Sequence, residues 1–151
     1  MADATLPEGL TADYANDAVR EALGALQTDP SYEHLATFLT SLRDGYLFAD
    51  VTGTQKKKST RVRTIRSTQG QLLLPLFTSM NELRLAYPVG RRGEAKGALM
   101  PALEALRLIR TSAFVAAQFD AGSAQFVVLR KFIELALGDD EITSASFGTP
   151  E

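Results

Sequence analysis

Six of the sixteen basic residues fall within eleven positions: Lys56, Lys57, Lys58, Arg61, Arg63 and Arg66. Cations at that density attract phosphates, carboxylates or the acidic face of another protein. If the segment is extended, Arg61 and Arg63 share one face and Arg66 takes the other. The stretch holds no aromatic side chain on which a base could stack, and the whole chain carries a net charge of −2. Both facts weigh against nucleic acid. Lysines on an edge strand have a second use, since they discourage edge-to-edge aggregation.

A second basic stretch, Gly90-Arg91-Arg92-Gly93-Glu94-Ala95-Lys96-Gly97, alternates glycine with cations. Glycine permits close approach of backbone to a ligand, and a helix expected just after it would add free N–H groups. Arg91, Arg92, Gly93, Lys96 and Gly97 are therefore candidates for binding an anionic small molecule such as a nucleotide or phosphometabolite. The stretch lacks the Gly-Lys-Ser/Thr ending of a P-loop and does not follow a strand as a dinucleotide loop does.

Catalytic and metal chemistry find little support. His34 is the only histidine and there is no cysteine, so no set of soft or imidazole ligands can converge. Thr78-Ser79 could be taken for a nucleophile on a strand-to-helix turn, but Phe77 and Asn81 stand where that motif needs glycine. Glu82, three residues after Ser79, gives the spacing of a helix capping box instead. No catalytic residue, metal ligand or cofactor is assigned, and the chain reads as non-enzymatic.

These side chains need a scaffold, and 151 residues with 45% apolar content suffice for one domain. No apolar run reaches the 18 residues a spanning helix needs. Residues 1–12 hold Asp3 and Glu8 without a basic residue or an apolar stretch, unlike a secretory signal. The lack of cysteine fits a reducing cytoplasm. Charge is unevenly spread: residues 1–50 sum to −7, residues 51–110 to +9 and residues 111–151 to −4. A basic middle lies between acidic ends.

Apolar spacing of three and four predicts a first helix from an Asp13 cap to about Gln27, with Tyr14, Ala18, Val19, Ala22, Leu23 and Leu26 inward. Asp29-Pro30 predicts the start of a second, burying Leu35, Phe38, Leu39 and Leu42, with Gly45 as a left-handed terminator. Strands are expected at Tyr46–Val51, Val62–Arg66 and Leu72–Phe77, the last apolar on both faces and so central. Pro75 within it requires either an unpaired N–H side or a bulge. Ser79 then opens a helix. Another helix is expected from Leu99 to Arg110, a strand at Ala113–Ala117, and a last helix from Leu129 to Leu137 ended by Gly138.

In this order, the pieces resemble the SseB N-terminal-domain family of bacterial proteins. The segment Gly70-Gln71-Leu72-Leu73-Leu74-Pro75-Leu76-Phe77-Thr78-Ser79-Met80-Asn81-Glu82-Leu83 is similar to the family's LPxFTSxxEL core. A leucine-rich first helix, Asp29-Pro30, Phe38-Leu39 and Leu47-Phe48 precede it in family order. Arg84-Leu85-Ala86-Tyr87 departs from a position where the family often carries an aromatic residue. The resemblance spans about residues 13–138 and implies an α+β fold in a bacterial cytoplasm. It transfers no catalytic or ligand residue.

The expected fold is α+β in one domain, with an N-terminal helical hairpin, an antiparallel β-meander plus a further short strand, and helices packed on the sheet. Residues 1–12 are expected as a flexible tail, 13–138 as the domain and 139–151 as an acidic flexible tail. The expected function is interaction with a protein of acidic surface through Lys56–Arg66, or self-association with the chain's own acidic helices. A small-anion site at Gly90–Gly97 is the alternative. Neither a membrane nor nucleic acid is expected as a partner.

Overall fold

The computed structural model describes residues 14–52 and 62–147. Two helices, α1 (Asp17–Thr28) and α2 (Tyr32–Ser41), precede the first strand, β1 (Tyr46–Asp50). Next come β2 (Ile65–Arg66), β3 (Leu72–Phe77), α3 (Met80–Leu85) and a 3-10 turn at Val89–Glu94. The chain continues through β4 (Gly97–Pro101), α4 (Ala102–Arg107), a second 3-10 turn (Leu108–Thr111), β5 (Ala116–Phe119), β6 (Phe126–Leu129) and α5 (Arg130–Leu137). It is a single α+β domain opening with a helix pair.

The sheet is mixed rather than a meander. Its order is β4-β1-β3-β5-β6, with β2 also paired to β3. β1 and β2 both lie antiparallel to β3, β1 against Leu76 and Phe77, β2 against Leu72 and Leu73. β5 runs parallel to β3 on the other side, because the intervening α4 carries the chain back across the sheet.

Pro75 explains why one side of β3 is shared. Leu72 and Leu76 direct their carbonyls to β5, accepting from Val115 N and Asp120 N. Alternation therefore points residues 73, 75 and 77 toward β1 and β2. With Phe48 opposite Phe77, Asp50 falls opposite Pro75, which has no N–H to give the Asp50 carbonyl. Arg63 N supplies that bond instead, at 2.7 Å. The proline thus sits where pairing passes from one strand to the other.

Each face of the sheet has its own apolar layer. Leu47 and Ala49 of β1 and Leu74 and Leu76 of β3 meet α1, α2, α4 and α5 through Val19, Leu23, Phe38, Leu39, Leu106 and Ile133, all buried. Phe48 and Phe77 point the other way, onto Met80 and Leu83 of α3. A strand buried on both sides is the pattern that β3's unbroken apolar run implies.

Several boundaries differ from the sequence expectation, each for a local reason. Asp13 lies outside the described residues. Asn16 caps α1, accepting from Val19 N at 3.1 Å and donating through Nδ2 to the Tyr46 carbonyl at 3.0 Å. Tyr14 precedes the helix, its hydroxyl accepting from Tyr46 N. Ser31 rather than Asp29 caps α2, with its Oγ taking His34 N, so Pro30 stands before the cap. Gly45 does adopt a left-handed φ of 78°.

The helix expected from Leu99 begins only at Ala102. Residues 97–101 pair along all of β1, and a residue preceding proline is steered away from helix. The expected strand at Ala113–Ala117 lies instead at Ala116–Phe119, in register with β3. Residues 62–64 stand ahead of the short β2 rather than within it. Residues 139–147 are not a free tail: Ile142 is buried, and the Phe147 ring packs on Tyr32 and Phe132 at 5.3 and 5.5 Å between centroids.

Candidate functional site

The two basic stretches meet at the C-terminal end of β1. Thr52 Oγ1 accepts from Lys96 N at 2.9 Å, and Val51 N donates to the Lys96 carbonyl at 2.9 Å. Arg63 donates through Nη1 to the Thr52 carbonyl at 3.2 Å. These bonds hold Arg63 and Lys96, far apart in sequence, beside one another, and both are exposed. Lys56, Lys57, Lys58 and Arg61 lie outside the described residues; Thr52 and Arg63, near the two ends of that stretch, are held at this edge. Arg66 is exposed on β2 and closes its own turn, donating to the Gly70 carbonyl at 2.7 Å.

A buried carboxylate organises this end. Asp50 is 6% exposed; one oxygen accepts Thr52 N at 2.9 Å and the other accepts the Tyr87 hydroxyl at 2.7 Å. Burial pushes the Tyr87 phenol above its ordinary value, and the neighbouring Asp50 acts in the same direction. Tyr87 is therefore a fixed donor, and its ring packs with the Phe48 and Leu83 layer.

The Gly90–Gly97 stretch folds differently from a phosphate loop. Residues 89–94 form a 3-10 turn in which Arg91 pairs with Glu94 at 3.1 Å. Arg92 donates through Nε to the Tyr87 carbonyl at 3.1 Å. Gly93 has open space around it, whereas a Cβ on Gly97 would lie 2.7 Å from Met80 Sδ and 3.0 Å from Leu83 and Phe48. Gly97 is thus a packing residue of β4. Because the stretch runs directly into that strand, the helix N-terminus expected to supply backbone donors is absent.

His34 serves local structure, its Nδ1 lying 2.7 Å from the Asp29 carbonyl. Among the described residues, no group of three or more histidine, aspartate or glutamate side chains is placed to hold a metal. No described helix is long and apolar enough to cross a membrane. Ser79 caps α3 through Oγ, which accepts Glu82 N at 3.2 Å. The reciprocal half of the box does not form, because Glu82 turns to Ser123 Oγ at 2.6 Å and to Arg20 at 3.6 Å.

A second polar cluster, not anticipated from sequence, lies at the carboxyl ends of the parallel pair β3 and β5. Asp120, 3% exposed with a φ of 52°, follows β5. Its carboxylate accepts Thr78 N and Thr78 Oγ1, both at 2.9 Å. Burial nevertheless raises its pKa to about 6, more than these donors lower it, with Glu82 adding to the rise. Beside this cluster, Arg20, Ser79, Asn81 and Arg84 line a small cleft. Its residues come from α1 and α3, and nothing local in the sequence joins them.

The family model described as the SseB protein N-terminal domain matches residues 19–134. No curated protein and no solved structure matches the chain.

Proposed function

From the premise that the chain belongs to the SseB N-terminal-domain family, we propose that it is a non-enzymatic interaction domain of the bacterial cytoplasm. It binds a protein of acidic surface through the basic end of β1. One observation carries this reading: Thr52 bonds Arg63 and Lys96 together and so joins two separate basic stretches. Lys56, Lys57, Lys58 and Arg61 lie in sequence between Thr52 and Arg63. Charge complementarity of this kind speeds encounter and selects the partner more than it adds raw affinity.

The rest of that end supports binding without chemistry. Asp50 and Tyr87 satisfy each other, and Arg91 is already paired with Glu94. An anion site at Gly90–Gly97 gains no support from the strand it leads into.

Affinity capture from the native host at low and raised salt tests the reading. Lys57→Glu, Arg61→Glu and Lys96→Glu together reverse charge without touching the Arg63 bond to Thr52. The expected result is a partner, another protein or a second copy of the chain, whose binding falls with salt and is lost in the triple variant. A partner retained equally by both proteins at both salt levels would exclude the basic end.

A further inference from the structure

The cleft between α1 and α3 is built by strand geometry. Ala15 bridges to Ser79, and Asn16 N donates to the Thr78 carbonyl at 2.9 Å, so both helices start from one point beyond the end of β3. In sheets with parallel strands, the carboxyl end is where diverging connections leave a crevice for ligands. Here the crevice holds about 120 Å³. Pockets for drug-sized ligands run to about 300–1,000 Å³, so the space suits one small group.

Its walls are rich in unused donors. Arg84 gives one N–H to Asn81 Oδ1 at 3.3 Å. Arg20 faces Glu82 at 3.6 Å, an ion pair too long for a hydrogen bond, while the other Glu82 oxygen is taken by Ser123. Among the described residues, the remaining N–H groups of both guanidinium forks and the amide N–H groups of Asn81 meet no protein acceptor. Glu82 faces Arg20, and the buried Asp120 carboxylate behind it also acts on Arg20, so Arg84 is the guanidinium of the cleft with no carboxylate partner among the described residues. A planar fork matches the geometry of an oxyanion and can bond it twice.

We propose that this cleft binds the single oxyanion group, carboxylate or phosphate, of a small molecule. Arg20 and Arg84 clamp it from opposite walls and the Asn81 amide donates from the floor. Glu82, held by Ser123, keeps the Arg20 fork beside the cleft before the ligand arrives.

The test monitors the arginine Nε–H and Asn81 side-chain signals by NMR. The full chain is titrated with inorganic phosphate, acetate or chloride at matched ionic strength. Phosphate or acetate should produce a saturable shift at Arg20, Arg84 and Asn81, and chloride should not. Saturation by phosphate alone identifies a phosphorylated ligand, and by acetate alone a carboxylate. Arg84→Gln and Arg20→Gln should each weaken the response about tenfold, the loss of a charge-assisted pair, with the remaining spectrum unchanged. A drift shared by all three anions, or a response that survives both variants, overturns the proposal.

Discussion

The Asp120 carboxylate holds both donors of Thr78, the backbone N–H and the hydroxyl, each at 2.9 Å. One side chain thereby locks the end of β3 to the turn after β5. Burial still raises its pKa from 3.8 to about 6, so the folded protein binds a proton that the unfolded chain has released. Stability from this group is therefore highest below pH 3.8 and falls as pH rises to about 6. A rise of that size corresponds to about 3 kcal/mol. Asp120→Asn keeps an acceptor, tolerates the left-handed backbone and removes the titration. Denaturant unfolding of both proteins across this range should show the variant gaining relative stability toward neutral pH. A difference that stays flat would refute the assignment.

Two glycines should respond in opposite directions. A Cβ on Gly122 would lie 2.5 Å from the carbonyl carbon of Leu85, with further α3 backbone at 2.7 Å. Gly122→Ala should cost about 1–3 kcal/mol, since backbone cannot step aside as a side chain can. Gly24, exposed within α1, has nothing within 4 Å. Gly24→Ala should stabilise by about 0.5–1 kcal/mol. Melting temperatures decide both signs.

Asn16 caps α1 and also donates to the Tyr46 carbonyl, whereas Ser31 does only the first for α2. Asn16→Ala should cost about 2–3 kcal/mol, and Ser31→Ala about 1 kcal/mol. Equal losses in denaturant melts would mean that the bond to Tyr46 contributes nothing.

Removing residues 139–151 should destabilise the domain rather than trim a free end. Ile142 is 7% exposed, and its burial alone is worth about 1.5–3 kcal/mol. Phe147→Ala should reproduce part of the loss by freeing Tyr32 and Phe132. A truncated chain that melts at the full-length temperature would contradict this packing.

Local patterns were the legible ones. Most of the inward stripes of α1 and α2, the two-sided burial of β3 and the Ser79 cap derive from spacing within a few residues; Ala18, expected inward, is exposed, and Tyr14 precedes α1. The cap expected at Asp29 is taken by Ser31, because two capping side chains stand close together there. β4 was unreadable because Leu99, Leu103, Leu106 and Ile109 keep a helical period, while its pairing with β1 is long-range. The second-site arginines sit on different helices and meet only because Ala15 bridges to Ser79. Asn81 and Arg84, three apart on α3, were its sole local trace.

Pro75 has a consequence for how this domain can diversify. Because the proline denies Asp50 a partner and Arg63 N provides one, the chain is compelled to break off pairing there and resume it afterward. Thr52 and Arg63, on either side of this interruption, are fixed to each other by the Arg63 bond to the Thr52 carbonyl. Closing a loop twice as long between these two fixed points costs only about 0.6 kcal/mol. A proline fixed in the most buried strand of the architecture leaves its neighbour the cheapest place to acquire a new recognition sequence.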